Sequence, residues 1–291
     1  MAARKKSQSA SPSRTIVFQG QLGAYSHLAC RKYFPKMTPL PTPSFEDTLE
    51  AVREGHAKLA MIPIENSVAG RVPDIHQIMP DSGLYIIGER FLRVNHHLLA
   101  PKGATLRTIR RVHSHVMALG QCGKFLRKHK LEPVVHADTA GAAADIATVG
   151  DITDAAIASE LAGEVNGLVS IRASVEDAQH NTTRFVVMSR KPVRPKRNGD
   201  PVVTSFVFQV RNVPAALFKA MGGFATNGIN MTKLESYMVD GDFVATQFYA
   251  DVEGDPRDAS LRRALEELKF FTHEIRVLGT YPADPFRFRK K

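Results

Sequence analysis

The sequence has no tryptophan and only two cysteines, Cys30 and Cys122. The pair fits neither a disulfide framework nor a zinc pattern, which points to a reducing, cytoplasmic setting. No apolar run approaches the roughly 18 residues of a membrane span. The opening MAARKKSQSASPSR lacks the apolar centre of a secretory signal, so no membrane partner is expected. Basic, serine-rich and free of acids, it reads as a disordered tail over 1–14, with a transit peptide as the other reading. Phosphate-loop, dinucleotide and metal patterns are missing too. His113 and His115 share one side of a strand without a third ligand nearby, and the strand neighbours His96 and His97 point to opposite faces. No metal and no cofactor is expected.

What the sequence does have is a net charge of +10, which raises the question of nucleic acid. The excess sits in residues 1–14, 190–197 and 286–291, which together hold thirteen basic residues and no acids. The rest of the chain is therefore net acidic, with no basic stripe carrying interleaved aromatics, and no nucleic-acid partner is expected. At 291 residues with 43% hydrophobic content, the chain is long enough for two or three folded units.

From Thr15 to about Ser189, strand and helix patterns alternate. TIVFQG, KLAMIPI, PVVHA and DAAIAS read as strands. SHLACRKYF, DTAGAAADIATVG and SELAGEVNG read as helices, as does SFEDTLEAVREGH, which opens on a capping pair, Ser44 and Asp47. MALGQCGKFLRKH reads as one further helix. This order predicts α/β architecture with mostly parallel sheets. SRKPVRPKRNGDP, with three prolines and a glycine, predicts a linker over 191–201. Beyond it the pattern becomes strand, helix, strand, turn at Asp240-Gly241-Asp242, strand, helix, strand, the βαββαβ order of a ferredoxin-like unit over 202–283. A basic tail over 284–291 closes the chain.

Five polar clusters stand at strand ends or helix starts. In GQLGAYSH, Gly20 and Gly23 let backbone approach a ligand and Ser26 sits at a helix N-terminus, which favours an anion. PIENSVAGRV places Glu65, Asn66 and Ser67 after a buried strand. In HSHVMALGQC, Ser114 ends a strand and Gln121 follows two helical turns on, and in ADTAGAAAD Asp138 or Thr139 caps a helix. Ordinary turns and caps explain each of these singly. HNTTRFVVM places Thr183 and Arg184 at the mouth of an apolar strand, where regular geometry aims them at opposite faces. Either the backbone is irregular there or Arg184 acts by holding the loop; Thr182 is the alternative hydroxyl.

Taken together these clusters resemble prephenate dehydratase along residues 15–190: GQLGAYSH, PIENSVAGRV, HSHVMALGQC and Thr183-Arg184-Phe185 occur in that family's order and spacing. The terminal module resembles the ACT domain common in this family. The resemblance implies a two-lobed, periplasmic-binding-protein-like catalytic domain, its second lobe roughly 100–175, followed by the ACT domain. It also implies decarboxylating dehydration of prephenate to phenylpyruvate in phenylalanine biosynthesis, with arogenate dehydratase and a non-catalytic sensor as alternatives. Thr183 would donate the proton and Arg184 would favour a substrate carboxylate. Ala24, Tyr25, Ser26, Asn66, Ser67, Ser114, Gln121, Thr139 and Phe185 would bind substrate. L-Phenylalanine would bind at Asn212, Ala215, Ala216, Leu217, Asn230, Leu234, Glu235 and Ser236, in a homodimer or homotetramer. Ala215 stands where the family has glycine, and Tyr237-Met238 where it has Arg-Pro; Gln21 replaces a usual proline.

Overall fold

The computed structural model describes residues 11–211, 213–238 and 245–288. Asn212, the turn at 240–242 and residues 1–10 and 289–291 lie outside the described residues. The elements run β1 (Thr15–Gln19), α1 (Tyr25–Tyr33), β2 (Thr38–Thr42), α2 (Phe45–Arg53), β3 (Leu59–Asn66), β4 (Gly70–Arg71), α3 (Pro73–Ile78), β5 (Tyr85–Arg93) and β6 (His97–Ala100). They continue with β7 (Arg111–Ser114), α4 (Val116–Gln121), α5 (Gly123–His129), β8 (Glu132–Val135), α6 (Thr139–Val149), β9 (Asp154–Ala158), α7 (Glu160–Asn166), β10 (Val169–Arg172) and β11 (Thr182–Ser189). The last are β12 (Val202–Val210), α8 (Ala216–Thr226), β13 (Met231–Met238), β14 (Ala245–Glu253), α9 (Ala259–Phe271) and β15 (Thr272–Pro282).

Contacts divide the chain into two compact units, one running up to Arg71 and resuming over Leu92–Phe185, the other made of Val72–Phe91 and everything from Val186. The first unit has two lobes. In one, the strand order is β2–β1–β3–β11, with β1 parallel to both neighbours. Helix α2 starts as its sequence predicts: Ser44 Oγ accepts the Asp47 amide at 3.0 Å and donates to the Asp47 carboxylate at 2.8 Å. Strand β3 ends in a hairpin that pairs Asn66 with Gly70, which holds the Asn66 side chain at the strand's mouth.

The other lobe is the sheet β10–β6–β9–β7–β8. Strand β9 is buried along its whole length, and its two faces serve different packing groups. Ala155 and Ile157 join Val112, Leu119 and Leu126, while Ala156 and Ala158 join Ala142, Ile146 and Ala162. That period of two between helices on both sides is why DAAIAS is continuously apolar. Strands β7, β8 and β9 are parallel as expected, but β6 runs antiparallel to both of its neighbours, β9 and β10. The one helix expected across MALGQCGKFLRKH is two, α4 and α5, broken at Cys122. Gly120 and Gly123 flank the break, and glycine carries a helical penalty of about 1 kcal/mol.

In the second unit, strands in the order β13–β14–β12–β15 are all antiparallel, and the βαββαβ succession is as read from the sequence. One face packs Phe206, Phe208 and Val210 against Ala216, Ala220 and Phe224 of α8 and Leu261, Ala264, Leu265 and Leu268 of α9, both helices showing the spacing of an amphipathic stripe. Besides the 202–283 read from the sequence, the unit takes in 72–91, which packs against the module. His76 meets Tyr249 edge-on at 5.2 Å, and a Cβ on Gly279 would lie 2.0 Å from the Ile86 carbonyl oxygen. Residues 284–288 are not a free tail either. Phe286 stacks on Phe91 at 4.7 Å and Arg287 clasps the fully buried Glu89 at 2.6 and 2.8 Å. At the other end, Pro12–Arg14 forms a 3-10 turn within the expected tail. Among the described residues, no helix is long and apolar enough to cross a membrane.

Candidate functional site

Strand β11 is regular from Thr182, so its side chains alternate as strand geometry demands. Thr182 is buried and its hydroxyl donates to the His180 carbonyl at 3.1 Å. Thr183, half-buried, accepts an N–H from Asn66 Nδ2 at 3.0 Å. Arg184 turns the other way, is 2% exposed and pairs with Glu65 at 2.8 Å. The guanidinium thus meets Glu65, the residue before Asn66, on the opposite face from Thr183. Phe185 is buried in the core.

Asn66 is oriented by its surroundings. Its Oδ1 accepts the backbone N–H groups of Val68 and Ala69 at 2.9 and 2.8 Å, so its NH2 must face the other way. One N–H goes to Thr183 and the other to Asn181 Oδ1 at 2.7 Å. Asn181 in turn donates to Gln121 Oε1 at 2.8 Å, and that oxygen lies 3.0 Å from His96 Nε2. His96 Nδ1 is 2.8 Å from the Tyr25 hydroxyl, which also stands 2.9 Å from the Asn95 carbonyl. A continuous series of polar side chains therefore runs from Tyr25 on α1 to Thr183 on β11. Ser67 closes the hairpin onto β11: its hydroxyl donates to the His180 carbonyl and accepts the Thr182 amide, each at 2.9 Å. Beside the series lies a pocket of about 320 Å³ lined by Val68, Val116, Met117, Gln121, Asp177 and Asn181.

The two lobes meet at Gly23, whose φ is +94° and whose absent Cβ would sit 2.7 Å from Ala162 Cα. Only glycine satisfies both the backbone and the approach. Ser159 Oγ donates to the Gly23 carbonyl, and the Gly23 amide donates to His27 Nδ1 at 2.9 Å. Gln21 Nε2 reaches Asp138 at 3.4 Å.

Chemically, the arrangement favours release of a proton from Thr183. Its oxygen already accepts from Asn66, so its own proton is left for another acceptor, and the aimed N–H stabilises charge that develops on the oxygen. Tyr25, Cys122 and His96 are each shifted toward the neutral form. Burial raises Tyr25 well above the ordinary phenol value and raises the Cys122 thiol, while it lowers His96. Among the described residues, no group of three or more His, Cys, Asp or Glu side chains is placed to hold a metal ion.

Tyr25, Asn66, Gln121 and Thr183 are thus brought together, with Ser67 bracing them. The others are not part of the series. Ser114 is fully buried and its hydroxyl is committed to the Ile157 carbonyl at 2.6 Å. Ala24 is the N-cap of α1, Ser26 is buried in its first turn, and Thr139 opens α6, whose cap is Asp138, accepting from Gly141 at 2.7 Å. Sequence reasoning gave no role to Asn181 or His96. Asn181 stood beside the threonines as a polar residue about to be buried. His96 and His97 do point to opposite faces, His97 toward Ser170 at 2.8 Å, and that alternation is what aims His96 at Gln121.

In the second unit, Ala215 adopts φ +59°, ψ +21° at the N-cap of α8. Ala216 is buried and Leu217 packs against the core. The Asn230 carbonyl accepts the Glu253 amide at 2.9 Å, Glu235 pairs with Lys233 at 3.0 Å, Leu234 is exposed, and Ser236 faces Phe248 in register. Asn212 lies outside the described residues.

A family model described as prephenate dehydratase matches residues 16–193. A protein of Komagataeibacter europaeus named bifunctional N-acyl-homoserine lactone acylase/prephenate dehydratase is 52% identical over 94% of this chain and 98% of its own length. The chloroplastic arogenate dehydratase/prephenate dehydratase 2 of Arabidopsis thaliana is 37% identical over 92% of this chain and 73% of its own. Among solved structures, GqqA, described as a novel type of quorum quenching acylase, superposes with a TM-score of 0.88 at 52% identity, covering 94% of this chain and 100% of its own. Prephenate dehydratase of Arthrobacter aurescens in complex with L-Phe superposes at 0.84 and 28% identity, covering 92% and 90%.

Proposed function

The chain belongs to the prephenate dehydratase family, a family of lyases, and from that premise we propose that it dehydrates and decarboxylates prephenate with Thr183 as proton donor. The observation that carries this is the Asn66 N–H on Thr183 Oγ1 at 3.0 Å. In the reaction the ring carboxylate leaves as carbon dioxide, and its bonding electron pair enters the ring. The C–O bond opposite breaks, and the departing oxygen takes the Thr183 proton and leaves as water. Aromatisation drives both cleavages. As the oxygen leaves it becomes strongly basic, so a late transfer from a weakly acidic hydroxyl suffices. Asn66 holds the charge on Oγ1 until solvent returns the proton. Gln121 and Asn181 line the pocket for the substrate; Ala24, Tyr25, Ser26, Ser67 and Thr139 are the further candidates for its anionic groups. Arg184 acts through Glu65 rather than on the substrate.

Thr183→Ala should lower kcat by about 10²–10⁴ with a smaller change in KM, and Thr182→Ala should change kcat less than about threefold. The reverse pattern overturns the assignment. Running both assays on prephenate and on arogenate distinguishes the two substrates, which the same site would serve. A second reading is supported by the 52% identical relative, whose name includes an acylase, and by the exposed apolar side chains of Val68, Val116 and Met117 around the pocket. An acyl chain would lie there. Assaying hydrolysis of N-acyl-homoserine lactones tests it.

The C-terminal βαββαβ module is read as an ACT domain that binds L-phenylalanine and restrains the enzyme. A relative crystallised with L-Phe supports that reading. Coupling requires phenylalanine to prefer an inhibited arrangement, typically by about 1–3 kcal/mol. The effector would lie near Ala215–Leu217 and Leu234–Ser236, with two modules paired across a homodimer or homotetramer. Calorimetry with phenylalanine, on the intact chain and on Glu235→Ala, tests the site; no heat at millimolar phenylalanine overturns it.

A further inference from the structure

We propose that His96 is a positioning residue for catalysis: its Nε2–H donates to Gln121 Oε1 and so fixes the series of amides that aims Asn66 at Thr183. The inference rests on the reading of Thr183 as proton donor.

Two backbone N–H groups, from Val68 and Ala69, occupy Asn66 Oδ1, which fixes the Asn66 amide with its NH2 toward Asn181 Oδ1 and Thr183 Oγ1. Asn181, having presented its oxygen to Asn66, must present its NH2 to Gln121. Gln121 therefore turns a carbonyl oxygen, not an amide N–H, toward His96 Nε2 at 3.0 Å. An oxygen meeting a bare ring nitrogen would be two acceptors face to face, so the proton resides on Nε2. The neutral ring then offers Nδ1 to the Tyr25 hydroxyl at 2.8 Å, whose one proton it shares with the Asn95 carbonyl at 2.9 Å. Burial, which lowers the histidine's affinity for a second proton, favours this neutral form.

The ring itself is held from three directions. It is 2% exposed, it meets Tyr25 edge-on with centroids 5.5 Å apart, and its backbone amide donates to Glu176 at 2.9 Å. A rigid donor at one end and a backbone-locked amide at the other leave Gln121 and Asn181 little freedom between them. Without the Nε2–H, Gln121 Oε1 keeps only Asn181, and the pair is free to rotate or to exchange amide ends. Asn66 then loses the acceptor that shares its NH2, and the N–H aimed at Thr183 becomes one of several orientations. A small misplacement of such a donor costs rate more than binding.

The test compares His96→Leu, which fills the space without a donor, with His96→Gln, whose side-chain N–H reaches about as far as Nε2. His96→Leu should lower kcat by about 10–100-fold while KM changes less than about threefold, and His96→Gln should recover at least half of that loss on a logarithmic scale. If His96→Leu turns over at the parent rate while Thr183→Ala is inactive, this inference fails and the threonine stands. If Thr183→Ala is itself active, the reading beneath it fails. Equal losses in both His96 variants make the effect one of packing and overturn the role of the donor. Should the leucine variant not fold, nitrogen NMR of the parent protein decides. A protonated Nε2 beside a bare Nδ1 supports the proposal, and the opposite tautomer refutes it.

Discussion

Replacing Ala215 by glycine should stabilise the second unit, and the structure gives the size. Ala215 sits at φ +59°, ψ +21°, in the left-handed region where a Cβ crowds the following carbonyl at a cost of about 1–2 kcal/mol. It stays there because it starts α8: its carbonyl accepts the Lys219 amide at 3.0 Å, and the Ala216 amide bonds Val213 at 3.1 Å. Glycine removes the crowding but gives the unfolded chain more freedom, which takes back about 0.4–1 kcal/mol. The middle of the two ranges leaves about 0.8 kcal/mol, or about 3 °C in the melting of a unit this size. Differential scanning calorimetry of Ala215→Gly reads it directly. The same variant, if the module binds phenylalanine beside α8, should bind it several-fold more tightly, because the methyl group leaves the helix start. An unchanged or lower melting temperature would refute the strain argument, and unchanged phenylalanine affinity would remove Ala215 from the effector site.

Parts of the candidate site were legible because their clues are local. A hydroxyl at the mouth of an apolar strand, a capping Ser44 and Asp47, and a polar triplet after KLAMIPI all follow from neighbours along the chain. Strand alternation even warned that Thr183 and Arg184 could not both face a substrate, and the buried pair with Glu65 is the outcome. What was not legible depends on separated segments. His96, Gln121 and Asn181 are joined by the fold across 25 and 60 residues, and no period or cap reports such a meeting. Ser114 was a candidate ligand through the family resemblance; burial against β9 spends its hydroxyl on the Ile157 carbonyl instead. Strand β6, antiparallel to β9, is as continuously buried as a parallel strand, so its direction was invisible. Segment 72–91 reads as part of the first unit in sequence, yet it is the cover that the sheet face carrying Tyr249 and Asp251 requires.

Arg184→Met should cost about 2–3 kcal/mol in urea unfolding, since it removes the guanidinium 2.8 Å from Glu65 at the edge of the core, and the double variant with Glu65→Gln should recover part of that. Lowering pH should destabilise the first unit through His27. Its Nδ1 accepts the Gly23 amide, and burial first, then Arg31, holds its folded pKa below the ordinary 6.5. The stabilisation is complete above 6.5 and is lost as pH falls below it toward the folded value; melts at pH 7.5 and 5.5 should differ less in His27→Asn, whose oxygen also accepts. The last prediction concerns the chain end, read from sequence as a basic tail. Arg287 stands between Glu89 and Asp251, both fully buried, clasping the first at 2.6 and 2.8 Å and lying 3.7 Å from the second. Removing the guanidinium leaves two carboxylates in a dry interior with their shared cation gone, a loss of about 3–5 kcal/mol. Arg287→Lys should fall between, because an ammonium cannot make the forked contact. Ending the chain at Ala283 also removes the Phe286 ring from Phe91 and should lower the melting temperature further than Arg287→Ala does. A truncated chain that melts within about 1 °C of the parent would mean that residues 284–288 contribute nothing to the fold, and the clasp on Glu89 would then be incidental.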